Sequence, residues 1–200
     1  MSPLDVAILL AADGTPWGVI VPAGILVLLA LLAIGAYNGL VKVRNHVDES
    51  WSDVETEMKR RYELIPNLVE TVKGYATHER ETLDRVVSAR NAAAAPHTSP
   101  EALARDDNVL SGALRQLFAV AEAYPDLKAN ANFLELQREL TNTEDRIQRS
   151  RRFYNGNVRD LNTRIESFPT NVIAGMFSFE KREFFELEEP EARKAPKVSF

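Results

Sequence analysis

The stretch that decides the fold is WGVIVPAGILVLLALLAIGAY, residues 17–37, which contains no charged residue. An α-helix rises about 1.5 Å per residue, so a helix of this length covers about 30 Å, the thickness of the hydrocarbon core of a bilayer. Thr15 is placed to cap such a helix, and Pro16 favours its first turn. The sequence therefore predicts a transmembrane helix over residues 17–37.

The basic residues indicate how this helix is oriented. No Lys or Arg precedes it, whereas Lys42 and Arg44 follow it directly. The positive-inside rule then predicts a single-pass protein of the cytoplasmic (inner) membrane, with residues 1–16 outside and the rest in the cytoplasm. A cleaved signal peptide is the alternative, because residues 33–35 (AIG) weakly resemble a cleavage site, but the long apolar run without preceding basic residues argues against it.

Composition excludes several classes of function. The chain has 200 residues, no cysteine and a net charge of −5 with both signs interspersed. Disulfides, Cys-based zinc sites and thiol nucleophiles are therefore excluded, and a nucleic-acid partner is not expected. No Gly-rich phosphate loop or nucleophile elbow occurs, and His78-Glu79 lacks the second histidine of a zinc-protease helix. We expect no enzyme, no cofactor and no metal site.

The remaining sequence predicts helices. Apolar residues at spacings of three and four predict an amphipathic helix that continues from the span to about residue 94, with a kink at Pro66. Ser99 and Pro100 begin a second helix that ends near Tyr124. A third helix over residues 126–167 carries an apolar residue at every seventh position, typical of a coiled-coil seam. The members of this series are Phe133, Leu140, Ile147, Tyr154, Leu161 and Phe168.

The fold class that follows is all-α: a transmembrane helix and then an antiparallel up-and-down helical bundle over residues 38–186. Residues 187–200 are charged and contain two prolines, so we expect disorder there. The second predicted helix is much shorter than its neighbours, so residues 47–58 or 158–168 would face water in a monomer. Either a homo-oligomer covers this seam, or the Phe-rich segment after residue 170 fills the gap as a fourth helix.

Polar residues interrupt the predicted seams and form a candidate buried polar layer. Its members are Arg61, Gln137, Glu144 and Arg151. The layer either binds a ligand or forms a buried network that sets the helix register, for instance through an Arg61–Glu144 pair, and the second reading is favoured. We then expect Glu144→Ala to destabilise the fold.

Aromatic residues form a second candidate site near the C-terminus. The cluster contains Phe177, Phe179, Phe184 and Phe185. It either docks a partner or the membrane surface, or closes the end of the bundle, as such clusters more often do. Trp17 and Tyr37 fit the interfacial belts at the two ends of the span, and Trp51 is expected in the core.

Several long blocks of the sequence identify a family. These are YNGLVKVRNHVDESW, MKRRYELIPNLVETVKGYATHE, AEAYPDLKANANFLELQRELTNTEDRIQRSRRFYN and FPTNVIAGMFSF. Together they resemble the LemA family over residues 37–185. The resemblance implies a membrane-anchored antiparallel helical bundle and implies no enzymatic activity.

Two functions remain open. The first is a non-catalytic membrane-anchored scaffold that self-associates and organises other membrane or envelope proteins. The second is a sensor or accessory subunit that binds a peptide or small ligand in the bundle groove and regulates a membrane partner such as a quality-control protease. A sealed polar layer favours the scaffold, and an open groove favours the sensor.

Overall fold

The computed structural model describes residues 17–185, and over these residues the chain is helical without strands. The helices are α1 (Trp17–Lys73), α2 (Arg80–Ala93), α3 (Pro100–Ala121), α4 (Pro125–Lys128), α5 (Ala131–Glu166) and α6 (Thr170–Met176). The all-α fold class is confirmed: one long apolar N-terminal helix leads into helices that pack against one another. The predictions for residues 1–16 and 187–200 lie outside the described residues.

Helix α1 has two parts with different surroundings. It contains 57 residues, which corresponds to about 85 Å of helix. Its N-terminal part is long and apolar enough to cross a membrane, and none of that apolar stretch is buried in the protein. This exposure distinguishes it from the core helix of a globular domain. Beyond Leu40 the helix buries one face against the bundle.

Helix α1 ends at Lys73, so the prediction of one helix to about residue 94 is wrong. Gly74 follows directly, and glycine is among the weakest helix formers. The amides of Tyr75 and Ala76 both donate to the Val72 carbonyl, at 3.0 and 2.8 Å, and close a tight turn. Ala76 is fully buried, which anchors this turn in the core. The chain then returns along α1 as α2.

Helices α2 and α3 form a hairpin over the part of α1 farther from the candidate span. Ser99 caps α3 as predicted, its side chain accepting from the Ala102 amide at 3.2 Å. Helix α3 ends at Ala121, three residues before the predicted end. Helix α3 packs most closely on α2, and its apolar stripe joins the residues of α1 and α2 in one core.

The third predicted helix is interrupted. A single turn, α4, is followed by Asn130, whose side chain accepts from the Phe133 amide at 3.0 Å and starts α5. The heptad series is buried from Phe133 to Leu161, but Phe168 is 82% exposed. The prediction for Phe168 is wrong because α5 ends at Glu166 and Ser167 adopts an extended conformation, which takes the next residue off the seam.

Beyond α6 the chain turns at Phe177 and Ser178 and runs back along α5 as an extended segment, residues 179–185. Asn155 holds it from α5: its Oδ1 accepts from the Phe185 amide at 2.8 Å, and its Nδ2 donates to the Phe185 carbonyl at 3.0 Å. Tyr154 Oη donates to the Glu183 carbonyl at 2.9 Å. Side chains of α5 thus replace the neighbouring strand that an extended backbone normally requires.

This segment settles how the seam is covered. The seam residues Val47, Val54, Met58, Val158 and Leu161 are all buried within one chain. The prediction that they face water in a monomer is therefore wrong. The Phe-rich segment does fill the gap, although as a short helix and an extended segment rather than as a fourth long helix. A homo-oligomer stays a prediction, and Phe168, the last residue of the predicted range 158–168, is 82% exposed.

Candidate functional site

Three helices meet at a buried carboxylate. Asp107 of α3 is 1% exposed and lies between Arg61 of α1 and Arg151 of α5, each 3% exposed. Arg61 Nη1 donates to the two carboxylate oxygens at 3.2 and 3.4 Å, and Arg151 Nη2 donates to Oδ2 at 2.5 Å. A buried charge is tolerated only when it is paired and hydrogen-bonded. Asp107 therefore ties the two arginines and their helices together.

Two further side chains complete this group, which we call the ion cluster (Arg61, Asp107, Ser111, Glu144 and Arg151). Arg61 Nη2 donates to Ser111 Oγ at 2.8 Å. Glu144 Oε2 lies 2.9 Å from Arg61 Nη1, close enough for an ion pair although the angle is not that of a hydrogen bond. The Glu144 side chain is 36% exposed, so it lies at the edge of the cluster. Two arginines thus face two carboxylates.

The sequence analysis predicted three of the five members of this cluster and missed two, Asp107 at its centre and Ser111. Arg61, Glu144 and Arg151 do lie together, and the suggested Arg61–Glu144 pair is present. Gln137 lies one heptad before Glu144 on α5, about 10 Å along the helix, and takes no part. The spacing of residues along α3 could have predicted that Asp107 is buried, because positions 103, 107, 110, 114 and 117 follow one another by four and three along the buried stripe of this helix.

Helix α1 continues through Pro66. A proline has no amide hydrogen, so the carbonyl four residues earlier loses its helical partner. That carbonyl belongs to Tyr62, and Arg90 Nε of α2 donates to it at 3.2 Å. The α2 side chain thus supplies the missing donor, while the kink itself stays a prediction.

An open cleft of about 610 Å³ lies beside the ion cluster, between α1, the turn of residues 94–99 and the extended C-terminal segment. Apolar and aromatic side chains form much of its lining: Trp51, Met58, Tyr62, Leu103 and Tyr154. Charged residues of both signs also line it: Asp48, Glu55, Lys59, Glu63, Arg90 and Arg182. This volume falls within the range of about 300–1,000 Å³ that is typical of ligand pockets.

Tyr62 links the cleft to the ion cluster. Its hydroxyl is buried without a hydrogen-bond partner in the described part of the chain. Burial, followed by the nearby Asp107 carboxylate, raises the pKa of Tyr62 well above its ordinary value. The group is therefore neutral at physiological pH. On the opposite wall, His97 Nε2 lies 2.9 Å from Asp106 Oδ2 and ties the turn to α3.

The four phenylalanines of the predicted aromatic patch separate into two pairs. Phe177 and Phe179 pack against Tyr37, with ring centroids 4.7 and 5.8 Å away. Phe185 is buried in the core, 6.2 Å from the Trp51 ring, and Phe184 packs on the core beside it. Trp51 is only half-buried because one side of it lines the cleft. The second pair closes the bundle, and the first pair lies at the end of the candidate span.

The described residues, 17–185, contain no group of three His, Asp or Glu side chains placed to hold a metal ion. The arrangement offers instead an apolar lining with charges of both signs around it. Such a lining suits an amphipathic segment better than a small ion, because much of its surface is hydrocarbon.

Comparison with known proteins gives consistent matches. Residues 50–200 match the LemA family. Protein LemA of Metamycoplasma hominis is 31% identical over 144 residues, 70% of this chain. Magnetosome protein MamQ 2 of Paramagnetospirillum magneticum is 25% identical over 75% of this chain, and magnetosome protein MamQ of Magnetospirillum gryphiswaldense is 23% identical over 74%. The chain spans 64% of the length of each of these relatives.

Proposed function

Because this chain belongs to the LemA family, we propose the second of the two functions above: it is a non-catalytic, membrane-anchored accessory subunit that binds another membrane protein. It does so by holding a peptide segment of a partner in the cleft between α1 and residues 94–99. The observation that carries this proposal is the cleft itself, an open site of about 610 Å³ that is larger than the clefts of about 300 and 430 Å³ elsewhere on the bundle. Its anchor is the apolar part of α1, with the bundle on the cytoplasmic side.

The cleft suits a peptide segment for two reasons. Its apolar lining, which includes Trp51, Met58 and Tyr154, offers contact area to apolar side chains. The acidic and basic groups around it offer hydrogen-bond partners to the polar backbone and side chains of an extended or helical segment. Rigid aromatic side chains in such a site are the residue types that most often dominate binding energy.

The position of the cleft favours a membrane protein as the partner. The α1 residues that line it lie between Val47 and Glu63. They follow the end of the candidate span at Tyr37 by 10 to 26 residues, or about 15–40 Å of helix. A segment that emerges from the same bilayer reaches this height without a long linker.

The ion cluster supports the same function indirectly. Asp107 and both arginines are almost fully buried and paired with one another, although Arg61 also lines a smaller cleft of about 300 Å³ with Ser111 and Glu144. They fix α1, α3 and α5 relative to one another, and these helices contribute Tyr62, Leu103 and Tyr154 to the cleft. A preformed site costs less ordering entropy on binding than a flexible one.

Site-directed photo-crosslinking tests the proposal in cells. A photoreactive amino acid replaces Ala95, which is exposed and lines the cleft, and in a matched control it replaces Val109, which is exposed on α3. We expect a discrete adduct with another membrane protein from position 95 and not from position 109. Ala94→Trp, which fills the cleft, is expected to suppress the adduct, whereas Ala92→Trp on the outside of α2 leaves it unchanged. Equal adducts from both positions, or persistence after Ala94→Trp, would contradict the proposal.

Protease protection tests the orientation separately. Protease added to spheroplasts is expected to leave the bundle intact and to digest it only after the membrane is opened. Digestion from outside would place the bundle on the other side of the membrane and would exclude cytoplasmic partners.

A further inference from the structure

Apolar side chains are exposed together at the end of the bundle that adjoins the candidate span. Phe168 is 82% exposed, Val172 51%, Met176 71% and Phe177 56%. Residues 168, 172 and 176 are spaced by four, and α6 supplies two of these side chains while burying Ala174 against the bundle. We call this surface (Phe168, Val172, Met176 and Phe177) the apolar cap. A globular protein does not normally leave such side chains together in water.

Contacts with α1 fix the position of the cap. The Phe177 ring lies 4.7 Å from that of Tyr37, the last residue of the apolar stretch. Helix α5 approaches the same level: Asn157 Nδ2 donates to the His46 carbonyl at 3.2 Å, and the Arg164 side chain lies beside Gly39. Because α1 and α5 are antiparallel, the end of α5 at Glu166 comes level with Tyr37. The cap therefore lies where the apolar helix emerges from the bundle.

The neighbouring side chains are those found at membrane interfaces. Tyr37 and the adjoining phenylalanines form an aromatic group at this level. Lys42 is exposed, and the Arg44 guanidinium lies 5.4 Å from the centre of the Phe179 ring. Aromatic rings at the level of the headgroups and basic residues just beyond them are typical of the cytoplasmic boundary of a membrane helix.

We propose that the apolar cap inserts into the headgroup and acyl-chain boundary of the same bilayer that α1 crosses. The argument rests on α1 being a membrane span and does not depend on the cleft. Once α1 is in the bilayer, its contacts with Phe177 and Phe179 hold the cap at the membrane surface, so lipid is the partner always within reach. Insertion of short apolar segments at this depth is the usual behaviour of interfacial helices.

The consequence is that the bundle is attached to the membrane at two points, the α1 span and the apolar cap. A single helix would let the bundle tilt, whereas α1 together with the cap fixes its height and rotation. The cleft is then presented at a constant distance from the bilayer surface.

Fluorescence of a single labelled cysteine tests the insertion. The chain has no native cysteine, so Met176→Cys introduces the only thiol. The full chain, labelled with an environment-sensitive dye, is reconstituted in vesicles of phosphatidylcholine and phosphatidylglycerol. Val109→Cys, which is exposed on α3, is the control. We expect a blue-shifted emission at position 176 and several-fold stronger quenching by lipid-borne nitroxides than at position 109.

A second pair of variants separates insertion from a folding defect. Val172→Asp in the Met176→Cys chain places a charge in the interface and is expected to lower the lipid quenching several-fold, whereas Val109→Asp leaves it unchanged. Both valines are exposed, so helical content and melting temperature should stay the same. Emission at position 176 equal to that at position 109 would overturn the proposal. A blue shift that grows with protein density without lipid quenching would overturn it in favour of a second copy of the chain.

Discussion

Replacing Asp107 by Asn is expected to be among the most damaging single changes in the bundle. The variant keeps the size of the side chain and removes the negative charge that two buried guanidinium groups share. Only Glu144 then remains as a counter-charge, and it lies at the solvent edge beside Arg61, not Arg151. Arg151 is left buried without a carboxylate partner.

The magnitude follows from the burial of the cluster. Removing one partner of a buried ion pair lowers the free energy of unfolding by about 3–5 kcal/mol. In a domain of about 150 residues each kcal/mol shifts the melting temperature by about 2–4 °C, so Asp107→Asn should lower it by about 6–20 °C. Circular dichroism of the full chain in detergent micelles measures this shift.

Two controls make the measurement specific. Glu139→Gln removes an ion pair with Arg60 in which the Glu139 side chain is 33% exposed and the Arg60 side chain 47%. This variant should lower the free energy of unfolding by under about 1 kcal/mol, because water screens the pair. The triple variant Arg61→Met, Asp107→Leu, Arg151→Met removes all buried charge at once and should be more stable than Asp107→Asn, as seen for other buried ion groups. A shift for Asp107→Asn no larger than for Glu139→Gln would refute the reasoning.

Further predictions concern the ion cluster and the cleft. Glu144→Ala should lower the melting temperature by less than Asp107→Asn does, because the Glu144 side chain is 36% exposed; an equal loss would show that Glu144 is an essential counter-charge. Tyr62→Phe should raise the melting temperature by about 2–4 °C, because it removes a buried hydroxyl without a hydrogen-bond partner. Tyr154→Phe should lower the melting temperature by a similar amount, because it removes the hydrogen bond to the Glu183 carbonyl. The raised pKa of Tyr62 means that the folded state favours the neutral phenol. This contribution to the free energy of unfolding is complete below the unfolded pKa of tyrosine, about 10, and is lost as the pH rises above that value. Alkaline melts should show this loss in the wild type and less of it in Tyr62→Phe.

Local signals in the sequence predicted most of the helices. A charge-free apolar run is read directly from composition, and Ser99 acts as an N-cap through a hydrogen bond within its own turn. The heptad from Phe133 to Leu161 identified the buried face of α5 without reference to any other helix. These features depend on neighbours within a few residues, so the sequence alone determines them.

What the sequence could not determine is what each buried face packs against. Asp107 is a seam residue by spacing, yet only the tertiary contacts show that its carboxylate pairs with Arg61 of α1 and Arg151 of α5. Phe168 continues the heptad in sequence, but the backbone turns at Ser167 and leaves its side chain 82% exposed. The cover over the seam is likewise an extended segment held by Asn155 from 30 residues earlier. Helical period reports burial along one element, whereas partners, turns and clefts arise from contacts between residues distant in sequence, and only the tertiary structure decides them.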